Sequence, residues 1–146
     1  MIENGIYQAI AAAGPVTDLL SDPTAVFLKM LPKDTALPAI VYQSVGKNSV
    51  HSFDGENSLQ IKRFQFDAYA KDPFISRKLL NAIHDLLVPS SSGPQPAFPF
   101  TLPDGTVIQS SVVHNDMDAG FEPGEPGPYG EVFRTLLDVE LAYIES

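Results

Sequence analysis

The stretch Arg63-Phe64-Gln65-Phe66-Asp67-Ala68-Tyr69-Ala70-Lys71-Asp72-Pro73 decides the fold, because two periodicities meet in it. Up to Tyr69 the pattern alternates. Phe64, Phe66 and Ala68 share one face, and Arg63, Gln65 and Asp67 share the other. That predicts a strand over 59–69 with one face buried and one wet. Asp72 then offers a side-chain cap, and Pro73 suits the first position of a helix. Beyond it Ile75, Leu79, Ile83 and Leu86 recur at helical spacing and predict a buried stripe, which Pro89 ends.

Upstream, Ile2, Ile6 and Ile10 predict a first helix over 2–13, stopped by Gly14-Pro15. Another helical turn is expected from Thr17 to Leu20, and a short strand in Val26 to Leu31. Pro38 opens a β-branched and aromatic strand, Ala39 to Val45, where its missing N–H costs no ladder bond. The polar segment Gly46 to Ser58 holds the turn signal Asp54-Gly55. Downstream, residues 89–105 are rich in Pro and Ser and read as a long loop. Within it Pro103-Asp104-Gly105 predicts a turn joining a short strand near Phe98–Leu102 to a strand from Thr106 to Val113. Residues 121–130 form a second Gly/Pro loop. The closing strand, Glu131 to Ile144, sets Phe133, Thr135, Leu137, Val139, Leu141 and Tyr143 opposite Arg134, Asp138 and Glu140. The expected fold is α+β with two layers: a mainly antiparallel four- to five-stranded sheet with two helices packed on one face. No linker divides residues 1–146, so one domain is expected, with loop insertions near 89–105 and 120–130.

At 146 residues, 44% of them hydrophobic, the chain can bury a core without disulfide or metal. It has no Cys, which removes disulfides, a cysteine nucleophile and thiolate metal sites. No apolar run approaches a membrane span, and Met1-Ile2-Glu3-Asn4 lacks the basic start of a secretory signal. The net charge of −9 is wrong for a protein that grips a phosphate backbone. It suits one that lets DNA pass without sticking. The charge is uneven: residues 1–73 carry six cations and eight anions, residues 74–146 three and ten. The second half is therefore either a solvated acidic face or a surface for a basic partner or a channel.

Catalytic patterns are weak. Ser90-Ser91-Ser92-Gly93 lacks the strand–turn–helix setting of a nucleophile elbow. His51, His84 and His114 lack the spacing that puts two imidazoles on one helix face. They read as surface or satisfied polar residues. Asp116, Asp118 and Glu122 form a carboxylate cluster of the kind hard cations prefer, but the spacing of a calcium loop fails there. The glycine-rich 124–130 carries glutamates that would repel phosphate. Aromatics outside the regular elements (Phe53, Phe98, Phe100, Phe121 and Tyr129) either pin their loops to the domain or anchor another subunit.

Three segments carry a resemblance: Leu37-Pro38-Ala39-Ile40-Val41-Tyr42-Gln43, Arg63 to Ala70 with its following helix, and Phe133-Arg134-Thr135-Leu136-Leu137-Asp138-Val139. In this order they resemble the tail completion proteins of long-tailed bacteriophages and prophages, the tail terminator or tail-to-head joining group. Residues 89–105 and 120–130 depart from that pattern. The resemblance implies a structural virion protein at the head–tail junction, made in the host bacterial cytoplasm, with no catalytic residue, metal or cofactor. It implies a homo-oligomeric ring, expected to be a hexamer, on the tail tube protein. The ring would end tube polymerisation, meet the head connector protein and pass DNA through its lumen. A closed ring needs two different protomer faces. The expected contacts are Lys47, His51 and Phe53 on one side and Phe121, Glu122, Glu125 and Tyr129 on the other. The competing readings are a monomeric ligand- or peptide-binding module and a metal enzyme centred on Asp116, Asp118 and Glu122.

Overall fold

The computed structural model describes residues 2–22, 24–32, 35–50, 59–89, 97–121 and 132–145, with side chains described except at 47–50 and 119–121. The alternating stretch forms β3 (Leu59–Ala70), and Asp72 caps α3 (Pro73–Leu87) by accepting from the Phe74 N–H at 2.8 Å. The closing strand, β6 (Phe133–Ile144), pairs antiparallel with β3, so that Phe64 faces Val139 and Phe66 faces Leu137. Outside this centre lie β2 (Ala39–Val50), antiparallel to β3, and β5 (Val107–Phe121), antiparallel to β6. Two short strands finish the edges: β1 (Val26–Leu28), parallel to β2, and β4 (Phe100–Thr101), antiparallel to β5. The order is β1-β2-β3-β6-β5-β4.

The sheet thus has six strands rather than four to five, because both short apolar pieces are recruited at its rims. There are three helices among the described residues rather than two. α1 (Ile2–Ala11) ends as expected near Gly14. Pro15, however, does not stop helical structure: it sits in the first turn of α2 (Gly14–Thr17), where its missing N–H is not needed. β1 is shorter than its apolar run because Lys29 takes φ 77° and turns the chain away. β2 runs beyond Val45 through a bulge between Ser44 and Gly46, and β5 runs eight residues beyond Val113. In both cases the polar continuation keeps its backbone ladder although hydrophobic alternation has ceased. The Pro103 to Gly105 turn forms as expected: Leu102 N–H donates to Thr106 O at 2.8 Å, and Gly105 adopts φ 96°.

All three helices feed one hydrophobic cluster, with Ile2, Ile6, Ile10, Val16, Leu79 and Ile83 set against Phe64, Phe66, Leu137 and Tyr143. Tyr42 stacks on Phe66 with ring centroids 6.0 Å apart. The stripe of α3 is rotated from the expected one. Ile75 and Leu86 are only partly buried, whereas Ser76, Leu80 and Leu87 are buried. The cause is polar. The Ser76 hydroxyl donates to Ala68 O at 2.7 Å and lies 3.0 Å from the Thr135 hydroxyl, which donates to Ser76 O. This knot ties α3 to β3 and β6.

Candidate functional site

The sheet face away from the helices was expected to be wet. It is instead an ordered grid of charges. Arg63 forks onto Asp138 at 2.7 and 2.6 Å, and the Arg134 Nε donates to Asp67 at 2.8 Å. Gln65 also donates to Asp67, at 3.1 Å. The register explains the geometry. Arg63 lies opposite Glu140 and Arg134 opposite Tyr69, so each arginine reaches diagonally to a carboxylate two residues along. Asp67 is 3% exposed and Asp138 9%, so these carboxylates are held by their arginines rather than by water. The hydrogen bonds that Arg63 donates to Asp138, helped by the carboxylate's charge, hold its guanidinium above its usual pKa. His114 of β5 lies 3.5 Å from Glu140 of β6. With its cations matched by anions, this face offers no surplus charge to a phosphate. It is a stiff platform.

On the helix side, Asp116 and Asp118 sit two residues apart on β5 and share Arg77 of α3, with the second bond at 2.7 Å. Arg77 is raised above its usual pKa, first by the Asp116 bond. The two carboxylates read as a metal cluster are thus engaged by a guanidinium. Glu122, the third, lies outside the described residues. No group of three His, Asp or Glu among the described residues is arranged to hold a metal ion.

The remaining expected residues fall as follows. Lys47 stands on β2 opposite Lys62, and Phe121 ends β5 opposite Phe133; their side chains are outside what is described. His51, Phe53, Glu122, Glu125 and Tyr129, like Ser90 to Gly93, lie outside the described residues. Phe100 is buried and stacks on Phe98 at 5.9 Å, so this aromatic pair pins its own loop. His84, at the end of α3, lies 3.4 Å from Asp85.

Two features had no single signal in the sequence. One is a groove of about 760 Å³ between the helices, lined largely by apolar side chains including Ala9, Val16, Leu19, Ala82 and Leu86. The other is a pair of open strand edges. β1 covers β2 only at Ile40 to Tyr42, and β4 covers β5 only at Val107 and Ile108. Among the described residues no strand lies outside Gln43 to Val50 or outside Gln109 to Phe121. No described helix is long and apolar enough to cross a membrane.

A mixed six-stranded sheet with three helices on one face, among the described residues, defines an α+β fold. The fold is shared with a chain of the virion of a native gene transfer agent particle: TM-score 0.64, 16% identity, covering 99% of this chain and 95% of that one. No protein-family model matches the sequence, and no curated protein does. At this identity the likeness is one of fold, and fold alone does not assign function.

Proposed function

We propose that the chain is a structural protein of a phage-like particle, and within it a tail terminator. Six copies form a ring on the end of the tail tube, stop its polymerisation and present a surface to the head connector. The observation that carries this reading is the shared fold with a gene transfer agent virion chain over nearly the whole length of both.

The topology supports it. A closed ring joins two different surfaces of each copy. β2 lies toward one side of the sheet and β5 toward the other. β2 and the residues after it carry Lys47, His51 and Phe53, and the end of β5 and the residues after it carry Phe121, Glu122, Glu125 and Tyr129; we assign the β2 side and the β5 side of the sheet to the two surfaces. The net charge of −9 keeps DNA from sticking as it passes the opening. The protein acts by shape and contact, with no catalytic residue assigned.

Purified protein mixed with tail tubes and imaged by electron microscopy is expected to cap one tube end and arrest tube length, with a native mass of six copies. Placing charges at Phe53 and Tyr129 is expected to shift that mass to one copy. Particles that complete without this protein would overturn the proposal. So would substrate turnover abolished by one side-chain change.

The apolar groove between the helices favours a second reading, a monomeric module that holds a peptide. A chain that stays monomeric beside tail tubes and captures peptide there would select it.

A further inference from the structure

We infer that copies of this chain join edge to edge, the open edge of β2 in one copy pairing with the open edge of β5 in the next, so that the sheet continues from copy to copy. The occupant, a second copy, rests on the ring reading above; the edges themselves do not.

The argument begins with backbone chemistry. A strand edge presents a row of N–H and C=O groups that water satisfies poorly once anything lies nearby, and proteins usually blunt such edges. Here the blunting stops short on both sides. Lys29, at φ 77°, turns the chain away after β1, so that among the described residues no strand covers β2 from Gln43 onward. Beside that point lies a hollow of about 480 Å³ lined by Glu3, Leu28, Lys29, Gln43 and Ser44. It continues the line of β1 along β2. On the far side β4 ends after two residues, and β5 runs on alone with Val112, Val113 and Met117 each more than a third exposed. None of the backbone hydrogen bonds found outside helices and ladders engages Gln43 to Val50 or Gln109 to Phe121 among the described residues.

The two edges also match each other. Through β3 and β6, Ser44 stands level with Val113, and Gly46 with Val112. The free segments therefore overlap at the same height in the sheet, and a neighbour can dock without sliding along the strands. β2 and β5 run in opposite directions, so the new pair is antiparallel. Their charges complement. The segment 43–50 carries Lys47 and no acid, with exposed Lys29 beside it, whereas 109–118 carries no Lys or Arg and two acids, Asp116 and Asp118, which share the single Arg77 and so keep an acidic excess. One edge differs from the other, so the contact is head-to-tail and closes only by rotation.

The test uses the absence of cysteine. Within one copy Ser44 and Val113 are three strand spacings apart, about 14 Å, beyond the reach of a disulfide. Any bond between cysteines placed there joins two copies. Three double variants are made: Ser44→Cys/Val113→Cys, Ser44→Cys/Ser111→Cys and Gln43→Cys/Val112→Cys. Each is oxidised, alone and on tail tubes. Denaturing gels are expected to show a ladder of covalent multimers for at least one pair. In the unmodified protein, amide exchange at 43–46 and 109–115 is expected to slow at least about tenfold on assembly.

Six-copy rings without cross-links in any pair, and with unchanged exchange at both edges, would overturn edge pairing while leaving the terminator reading intact. Cross-links without tube capping would do the reverse. Cross-links to the tube protein alone would assign the edges to another partner and sink the inference. A monomer in every condition would sink both.

Discussion

Replacing Arg134 by methionine tests the charge grid on the outer face. Asp67 is 3% exposed and receives two hydrogen bonds, from Arg134 at 2.8 Å and from Gln65 at 3.1 Å. Methionine keeps much of the aliphatic bulk but leaves the carboxylate with Gln65 alone. Breaking a buried ion pair on one side costs about 3–5 kcal/mol. The Arg134 side chain is 26% exposed, so water can enter the vacated space and reduce that penalty. We expect a loss of about 2–3 kcal/mol. For a chain of this length that is a fall of roughly 6–10 °C in the thermal midpoint. Urea denaturation followed by far-ultraviolet circular dichroism measures it, with an unchanged denaturant slope. The informative control is the pair Asp67→Val/Arg134→Met. With both charges gone nothing buried is left unmatched, and the double variant is expected to be more stable than Arg134→Met alone. A single variant within about 0.5 kcal/mol of the parent, or a double variant worse than the single, would refute the reasoning.

Ser76→Ala and Thr135→Val each remove one hydroxyl from the buried knot and are expected to cost about 1 kcal/mol apiece by urea denaturation. The double variant should cost less than their sum, because each single change already loses the one hydroxyl–hydroxyl contact that the two share. Gly5→Ala should destabilise by about 1–3 kcal/mol despite the better helix former. The new Cβ would lie 2.4 Å from the Asp104 carboxylate, which the Thr106 N–H and hydroxyl hold in place at 3.0 Å. Calorimetry should show most of that loss vanish when Asp104→Ala is added. For Glu3, burial pushes the carboxyl pKa up, but the Lys62 hydrogen bond and neighbouring charges outweigh it and leave the pKa below 4.5. A depressed folded pKa gives stability that is complete above 4.5 and fades as pH falls through the folded value. The stability gap between the parent and Glu3→Gln, measured by urea titration at a series of pH values, should therefore be flat above pH 5 and close below about 4.5.

The centre of the sheet and α3 were legible because both obey a strict period. Phe64, Phe66 and Ala68 are buried, as are Leu137, Val139 and Leu141, and Asp72 caps the helix it precedes. What hydrophobic pattern could not report was polar order. Ser76 belongs to the buried stripe but counts as polar in any periodicity, and the true partners of Asp116 and Asp118 lie on a helix some forty residues earlier. Their spacing of two did place both on one face of a strand, which was the available signal; nothing local could tell a guanidinium from a cation. The extent of β2 and β5 was hidden for a related reason. Val113 is followed by His114-Asn115-Asp116, a run with no apolar alternation, yet the ladder resumes at Asn115 and Asp116 after an irregularity at His114. The open edges follow from where β1 and β4 stop, and that depends on the Lys29 backbone and on pairing between distant segments.

The strand order has a consequence for how the protein is made. β6 leaves the ribosome after β1 to β5, yet it lies between β3 and β5 in the middle of the sheet. Until it arrives, the β2–β3 hairpin and the β5 region cannot join, and Phe64 and Phe66 lack the row formed by Leu137 and Val139. Assembly of the sheet is therefore held back until β6 has been made, a non-local topology that folds slowly. A nascent chain in that waiting state would expose sticky strands to its neighbours on a polysome. Premature mixing of copies is thus most dangerous just before β6 appears, and chaperone capture during translation would be most useful at that moment.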